Sequence, residues 1–298
     1  MTDPTSNEAS QIQNGESSMW RDVWRRFRAH RPAVISLFVL GLIVFAILIG
    51  PEILPYGPRE TDDTAQDQAP SFDHLLGTDE LGRDQLARIL AGGRLTYATA
   101  GAAVLVAIVV GVAVGITAGY LGGWADMVLM RLTDVFYAMP GLFVVILLVA
   151  LVGPGYLTIV VSISLFSWMN TARLVRASGL ALKQKEFVEA ARASGVPGTR
   201  IAVRHVIPNA LTPVIVTATL GLALAILVES ALSFLGLGFQ PPQATWGGML
   251  EQSQRAVMLE GQWWRGLFPG LMIFVSVLCA NFVGDGLRDS FDPRQVKR

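Results

Sequence analysis

Charge is scarce in this chain. Only 15% of its 298 residues are Asp, Glu, Lys or Arg, where a soluble domain carries about 25%. Hydrophobic residues make up 52% and the mean hydropathy is +0.49, so the chain belongs in a bilayer. A single cysteine, Cys279, lies in an apolar run, which excludes an intrachain disulfide and leaves the redox compartment unreadable. The three histidines, His30, His74 and His205, lack metal-ligand spacing and are expected to be solvated or interfacial. No G-x-x-x-x-G-K-[ST] occurs, so ATP binding through a P-loop is not expected. No internal repeat is visible, which argues against a transporter built from an inverted repeat within one chain.

The charges that remain are segregated. Residues 1–19 are rich in Ser, Asn and Gln and lack an apolar face, so disorder is expected there. From Trp20 to Arg31, Trp20, Val23, Trp24 and Phe27 share one helical face while Arg21, Arg25 and Arg28 share another. This is an amphipathic helix on an anionic leaflet, or a plain positive flank to the first span; either places it inside. A first span is expected at about 33–54; its apolar run is too long, and lacks the cleavage site, for a signal peptide. From Pro51 to Arg94 there are nine acidic and four basic residues, which marks an outside segment. Within it, Gly77-Thr78-Asp79-Glu80-Leu81-Gly82-Arg83-Asp84 has the form of a turn capping a following helix, with Asp84 and Arg88 one turn apart. Its carboxylates have no nucleophile or metal partner in sequence, and capping is the expected role.

Five more spans follow. The second, about 97–121, carries Gly111, Gly115 and Gly119 at every fourth position, a face for close helix packing within the subunit or against a partner. The third, about 127–152, contains Pro140 and should kink there; Arg131 and Asp134 near its inner end are expected to pair. Gly153-Pro154-Gly155 turns outside into the fourth, about 156–177. The fifth, about 211–235, contains Glu229, which must face protein or water and either lines a pathway or bonds a neighbouring helix. A charge-balanced outer loop to about residue 265 brings Trp246, Trp263 and Trp264 to the interface, and the sixth span covers about 266–282.

Between spans four and five lies the most basic loop, with seven Lys/Arg against two Glu from Arg173 to His205, which fixes that side as cytoplasmic. In residues 186–208, Phe187, Ala190, Ala191 and Ser194 fall on one helical face and Lys185, Glu189 and Arg192 on the other. Gly195 followed by Pro197 stops that helix. Thr199 can cap a second one, expected to end near Pro208 and Pro213. A small-residue face outside the membrane is a docking surface.

These residues also carry a resemblance. Glu189-Ala190-Ala191, three residues, Gly195 and a spaced Ile-Pro ending resemble the signature loop of the membrane subunits of bacterial ABC importers. The ending departs from the general pattern, with His205-Val206-Ile207-Pro208 in place of Ile-x-Leu-Pro. Arg204 to Asn209 is instead similar to the dipeptide/oligopeptide/nickel permease branch. Residues 77–84 resemble that branch independently, as do Leu232-Ser233-Phe234-Leu235-Gly236-Leu237-Gly238 and Trp246-Gly247-Gly248-Met249-Leu250. The resemblance covers about residues 20–298.

The resemblance implies an all-α membrane protein with six transmembrane helices in the type I ABC importer permease fold, preceded by the N-terminal amphipathic helix. The expected divisions are 1–19, 20–94, a transporter domain at 95–289, and a cytoplasmic tail at 290–298. It further implies a non-catalytic subunit in the cell membrane, both termini cytoplasmic, importing di- or oligopeptides, nickel or another solute. The implied partners are a second homologous permease subunit, two cytoplasmic ATPase subunits that hold ATP and Mg, and an extracytoplasmic binding protein. Membrane lipid surrounds it; nucleic acid is not expected, nor a cofactor or metal on this chain. Glu186, Glu189, Ala190, Ala191, Gly195, Arg204, His205 and Pro208 would fit a cleft on the ATPase, while Glu229 and Asp134 are pathway or structural candidates. A channel would show a filter loop or polar ring-forming span, and none is visible. An embedded enzyme would need Asp134, Glu229 and Asp285 to converge.

Overall fold

The computed structural model describes residues 21–201 and 207–291. The expected disorder at 1–19, the last tail residues, Arg204 and His205 lie outside the described residues. Helix α1 occupies 21–29, and His30 breaks it by capping α2 (Arg31–Ile53), its ring accepting from the Ala33 amide at 3.2 Å. After a long loop come α3 (Gln85–Ile116), a π-helical turn (Thr117–Leu121), α4 (Gly123–Ala138) and α5 (Gly141–Val152). There follow α6 (Tyr156–Lys183), α7 (Glu186–Ala193), α8 (Gly198–Ile201), α9 (Ile207–Phe234), α10 (Trp246–Leu259) and α11 (Trp263–Phe291).

Helices α2, α3, α6, α9 and α11 are each long and apolar enough to cross a membrane, and α4 with α5 forms a sixth, broken span. Pro140 does more than kink that span. It lacks the N–H that would bond back into α4, and α4 and α5 meet at 83°. The fourteen-residue α10 is a helix that the sequence reading treats as outer loop.

The three spaced glycines, two in α3 and Gly119 in the π-helical turn that continues it, settle against α6 within the subunit. A Cβ on Gly111 would lie 2.6 Å from the Trp168 carbonyl oxygen, one on Gly115 2.5 Å from that of Ala172, and one on Gly119 2.7 Å from that of Arg176. Backbones in contact along three turns hold α3 and α6 as a pair. Around it, Ala100 and Ala103 of α3, Val145 and Val149 of α5, Ile163 of α6 and Ile226 of α9 form the main buried core. The amphipathic α1 is partly enclosed: Phe27 is buried with Ala33 and Val283, while Trp24 stays half-exposed with Arg28 5.1 Å from its ring.

The other end of α2 is joined to α3 by an arginine. Pro51 leaves the Ile47 carbonyl without its helical donor. Arg94 supplies one, Nε donating to Ile47 at 2.7 Å while the guanidinium also reaches the Leu48 carbonyl and Glu52.

Residues 77–84 fold into a charged clasp at the α10 end of the bundle. Gly77 and Gly82 adopt φ of 79° and 68°, and Gly82 is pressed so close to the Asp62 carbonyl that no side chain fits. Asp84 caps α3, accepting from the Ala87 amide at 2.8 Å. Its other oxygen meets His74 Nδ1 at 2.9 Å, so His74 is a buried partner, not a solvated residue. Arg88 therefore does not turn to Asp84; it pairs with Asp79 and reaches Gln252 of α10 at 2.7 Å. Asp79 also accepts from the Leu81 and Arg83 amides and from Arg83 Nε at 2.7 Å. Arg265 of α11 joins Asp67 and Glu80. Two of the tryptophans expected at the interface are buried here: Trp246 donates to the Ile89 carbonyl at 2.9 Å and Trp264 to that of Thr78 at 3.3 Å, so backbone replaces lipid headgroups as partner. Only Trp263 of the three is exposed.

Asp79 bonds two of the clasp's buried arginines, Arg83 and Arg88. Removing it leaves buried positive charge uncompensated, which typically costs about 3–5 kcal/mol. Asp79→Asn should therefore lower the thermal unfolding midpoint in detergent and open residues 55–84 to added protease. An unchanged midpoint and cleavage pattern would show that the arginines find other partners.

Candidate functional site

The loop between α6 and α9 is built as two short helices around one glycine. Helix α6 runs on to Lys183, so the chain leaves the bundle as a continuous rod, and α7 begins after a turn at Gln184 and Lys185. Glu186, Glu189 and Ala190 are exposed, whereas Val188 is fully buried and anchors the inner side of α7. The Ala191 side chain lies outside the described set. Gly195 ends the helix at φ 74°, with open space where a Cβ would be. Its requirement is thus conformational rather than steric.

Helix α8 differs from expectation. Thr199 is inside it rather than capping it, because the Pro197 carbonyl accepts from Arg200 and Ile201 at 3.0 and 3.2 Å. Pro208 and Pro213 do not end this helix. They lie in the next one, α9, Pro208 at its second position, where a missing N–H leaves no bond unmade. Ile201 is fully buried and is the second anchor of the loop.

Side chains that the sequence reading does not single out tie this loop to the membrane helices. A Cβ on Gly198 would lie 2.8 Å from the Tyr120 ring, so α8 sits directly on the π-helical turn. Lys183 donates to the Tyr120 carbonyl at 3.0 Å. Two turns earlier along α6, Arg176 makes a two-pronged bond to Asp126 of α4. The unevenly wound turn, the end of α6 and the start of α4 are thereby locked at the base of the loop.

The two acidic candidates have different surroundings. Asp134 pairs not with Arg131 but with Arg173 of α6, at 2.7 Å. Helix α4 lies against α6, which brings that arginine within reach although it is 39 positions away in sequence. Glu229 is fully buried near the α10 end, accepting from Ser233 at 2.8 Å. The hydroxyls of Thr96 and Thr245 face it. Their oxygens already accept from the Trp246 and Gly248 amides, which leaves their protons for the carboxyl. Gly247 crosses α9 here, its missing Cβ only 2.4 Å from the Ser230 carbonyl. Asp134, Glu229 and Asp285 do not converge, and no group of three metal-ligating side chains gathers among the described residues.

The comparisons with known proteins agree with this architecture. The family model described as "Binding-protein-dependent transport system inner membrane component" matches residues 111–297, and that described as "N-terminal TM domain of oligopeptide transport permease C" matches residues 18–70. The chain is 47% identical to the oligopeptide transport system permease protein OppC of Escherichia coli (strain K12) over 279 residues, covering 93% of this chain and 92% of that protein. It is 46% identical to OppC of Salmonella typhimurium, with 93% and 92% covered, and 39% identical to OppC of Haemophilus influenzae, with 93% and 89% covered. With its apolar helices and these relatives, the chain is a multi-pass membrane protein that belongs to the family of inner membrane components of binding-protein-dependent transport systems.

Proposed function

We propose that this chain is a permease subunit of an ATP-driven importer of di- and oligopeptides, and that its loop of α7 and α8 is the coupling site for a cytoplasmic ATPase. The relatives named as oligopeptide permeases, at up to 47% identity, support the solute class. The observation that carries the coupling role is the exposure of Glu186, Glu189 and Ala190 on a helix whose opposite side is anchored by Val188. The chain has no P-loop, so ATP and Mg are held by two ATPase subunits. A second homologous permease subunit completes the pathway, and an extracytoplasmic binding protein delivers the solute. The basic α7 end faces the cytoplasm, with both termini there.

In this mechanism ATP closes the ATPase pair and displaces α7. The loop moves with the end of α6 because Lys183, Tyr120 and Gly198 are packed together. Arg176 carries the motion to α4 through Asp126, and the α3–α6 pair carries it across the membrane. Arg204, His205 and Pro208 are assigned to the same site by resemblance. Glu229 is assigned a structural role, holding α9 against α3 and α10.

Gly195 separates backbone from side-chain effects. Its left-handed conformation costs a non-glycine residue about 1–2 kcal/mol, least for Asn, which visits that region more readily. Gly195→Val should insert normally and pair with the second permease subunit, yet recover little ATPase in a pull-down from detergent and lose uptake. Gly195→Asn should keep most of both. Wild-type recovery and uptake in Gly195→Val would make residues 186–208 an ordinary solvated loop. For Glu229, the Gln variant keeps a hydrogen-bonding oxygen without charge. Near-normal uptake is expected; lost uptake with intact assembly and ATPase stimulation would instead assign Glu229 to the pathway.

A further inference from the structure

The break in the third span adjoins a polar surface in the inner half of the membrane. Met139 and Pro140, which join α4 to α5, are exposed. Non-helical backbone at membrane depth is tolerated only against protein or water. Beside it, Asp134 and Arg173 remain about half-exposed while bonded to each other at 2.7 Å. The Arg173 guanidinium lies 3.9 Å from the Tyr137 ring centre, and the Tyr137 hydroxyl donates to Asn170 Oδ1. Helix α6 has 28 residues; at about 1.5 Å per residue Asn170 is roughly 21 Å from its start, near the middle. An exposed ion pair and amide at that depth do not face lipid.

A hollow adjoins the same surface. A cavity of about 340 Å³ is lined by Ser167, Asn170, Thr171 and Thr217 among apolar neighbours. It shares Thr217 and Leu220 with a second of about 540 Å³, which reaches Thr212, Pro213 and Arg288 toward the α7 end. The two form a trough beside α6 and α9. Around Asn170 it offers hydroxyls and an amide, with the Arg288 guanidinium at its α7 end, and the ion pair nearest Asn170 is already neutralised internally.

We propose that Asp134, Tyr137, Asn170 and Arg173 form this subunit's wall of the translocation path, a subsite for the extended backbone of a peptide in transit. It rests on the reading of the chain as a peptide importer subunit. Neutral hydroxyl and amide groups exchange hydrogen bonds with any peptide backbone. The paired Asp134 and Arg173 present no net charge, so peptides of either sign pass. Breaking the pair from either side would then impose a charge preference, which a packing contact would not.

The test uses the full complex reconstituted with its binding protein. With Cys279→Ser as background, Asn170→Cys should react with a charged methanethiosulfonate, whereas Leu42→Cys, exposed on α2 at comparable depth, should not. Uptake of Ala-Glu-Ala and Ala-Lys-Ala is compared in the Arg173→Ala and Asp134→Asn variants. The first unmasks a carboxylate and should shift the uptake ratio at least about threefold toward the lysine peptide. The second unmasks a guanidinium and should shift it as far toward the glutamate peptide. An unreactive Asn170→Cys, an unchanged ratio, or equal losses for both peptides would overturn the proposal. Failure of the wild-type complex to import either peptide would instead remove the peptide reading, with thiol labelling at position 170 still deciding whether the wall is wet.

Discussion

The fold depends on contact between two backbones. Gly111, Gly115 and Gly119 let α3 and the π-helical turn that follows it touch the carbonyls of Trp168, Ala172 and Arg176 on α6, and any side chain at those glycines would force the helices apart. Lipid tails give helices no hydrophobic reason to associate, so close approach and the dispersion it allows supply the attraction. Helix α6 is thereby held along its length from Tyr156 to Lys183, and three features hang from it. These are the proposed coupling loop at one end, the Asn170–Arg173 surface at the middle of the helix, and the seat for the bent third span. The α3–α6 pair is a lever because neither helix can slide without losing all three glycine contacts.

Charge is distributed around this lever according to solvation. At the α10 end, charges are buried and largely paired: Asp79 accepts from two backbone amides and two arginines, and Glu229 accepts from Ser233 through one oxygen, while Glu229 Oε2 and Arg88 Nε are left without a partner. There they fasten the 77–84 clasp to α3, α10 and α11, chiefly through charge-assisted bonds from arginines to carboxylate oxygens. Midway along, the Asp134–Arg173 pair is left half-exposed. At the α7 end, Glu186 and Glu189 project freely. The same residue types are thus buried and paired, half-exposed or fully exposed according to what surrounds them.

Much of this was legible in the sequence because it is local. Apolar run length predicts the spans, and four-residue spacing predicts the glycine face, though not which helix it meets. Gly195 before Pro197 predicts the left-handed stop that the backbone adopts. What was not legible depends on partners distant in the chain. The spacing of Arg131 and Asp134 suggests a pair, yet packing of α4 on α6 sets Asp134 against Arg173 on another helix. His74 and Trp246 have polar tips that composition assigns to solvent or headgroups, whereas Asp84 and the Ile89 carbonyl satisfy them inside the protein. Helix α10 was hidden because a fourteen-residue amphipathic segment is too short and too polar to be read as a span. Val188 and Tyr120, which seat the coupling loop, look unremarkable until the chain is folded.

The central claim is that force from ATP binding enters this chain at the exposed side of α7. The most direct measurement is a photo-crosslink from that side in intact membranes. With p-benzoylphenylalanine in place of Glu189 and the complete transporter co-expressed, ultraviolet irradiation should yield one adduct, containing this chain and an ATPase subunit. The same probe in place of Arg255, exposed on α10, should yield none with the ATPase. An adduct to the ATPase from position 255 but not from 189, or adducts from 189 to lipid alone, would contradict both the orientation and the coupling role.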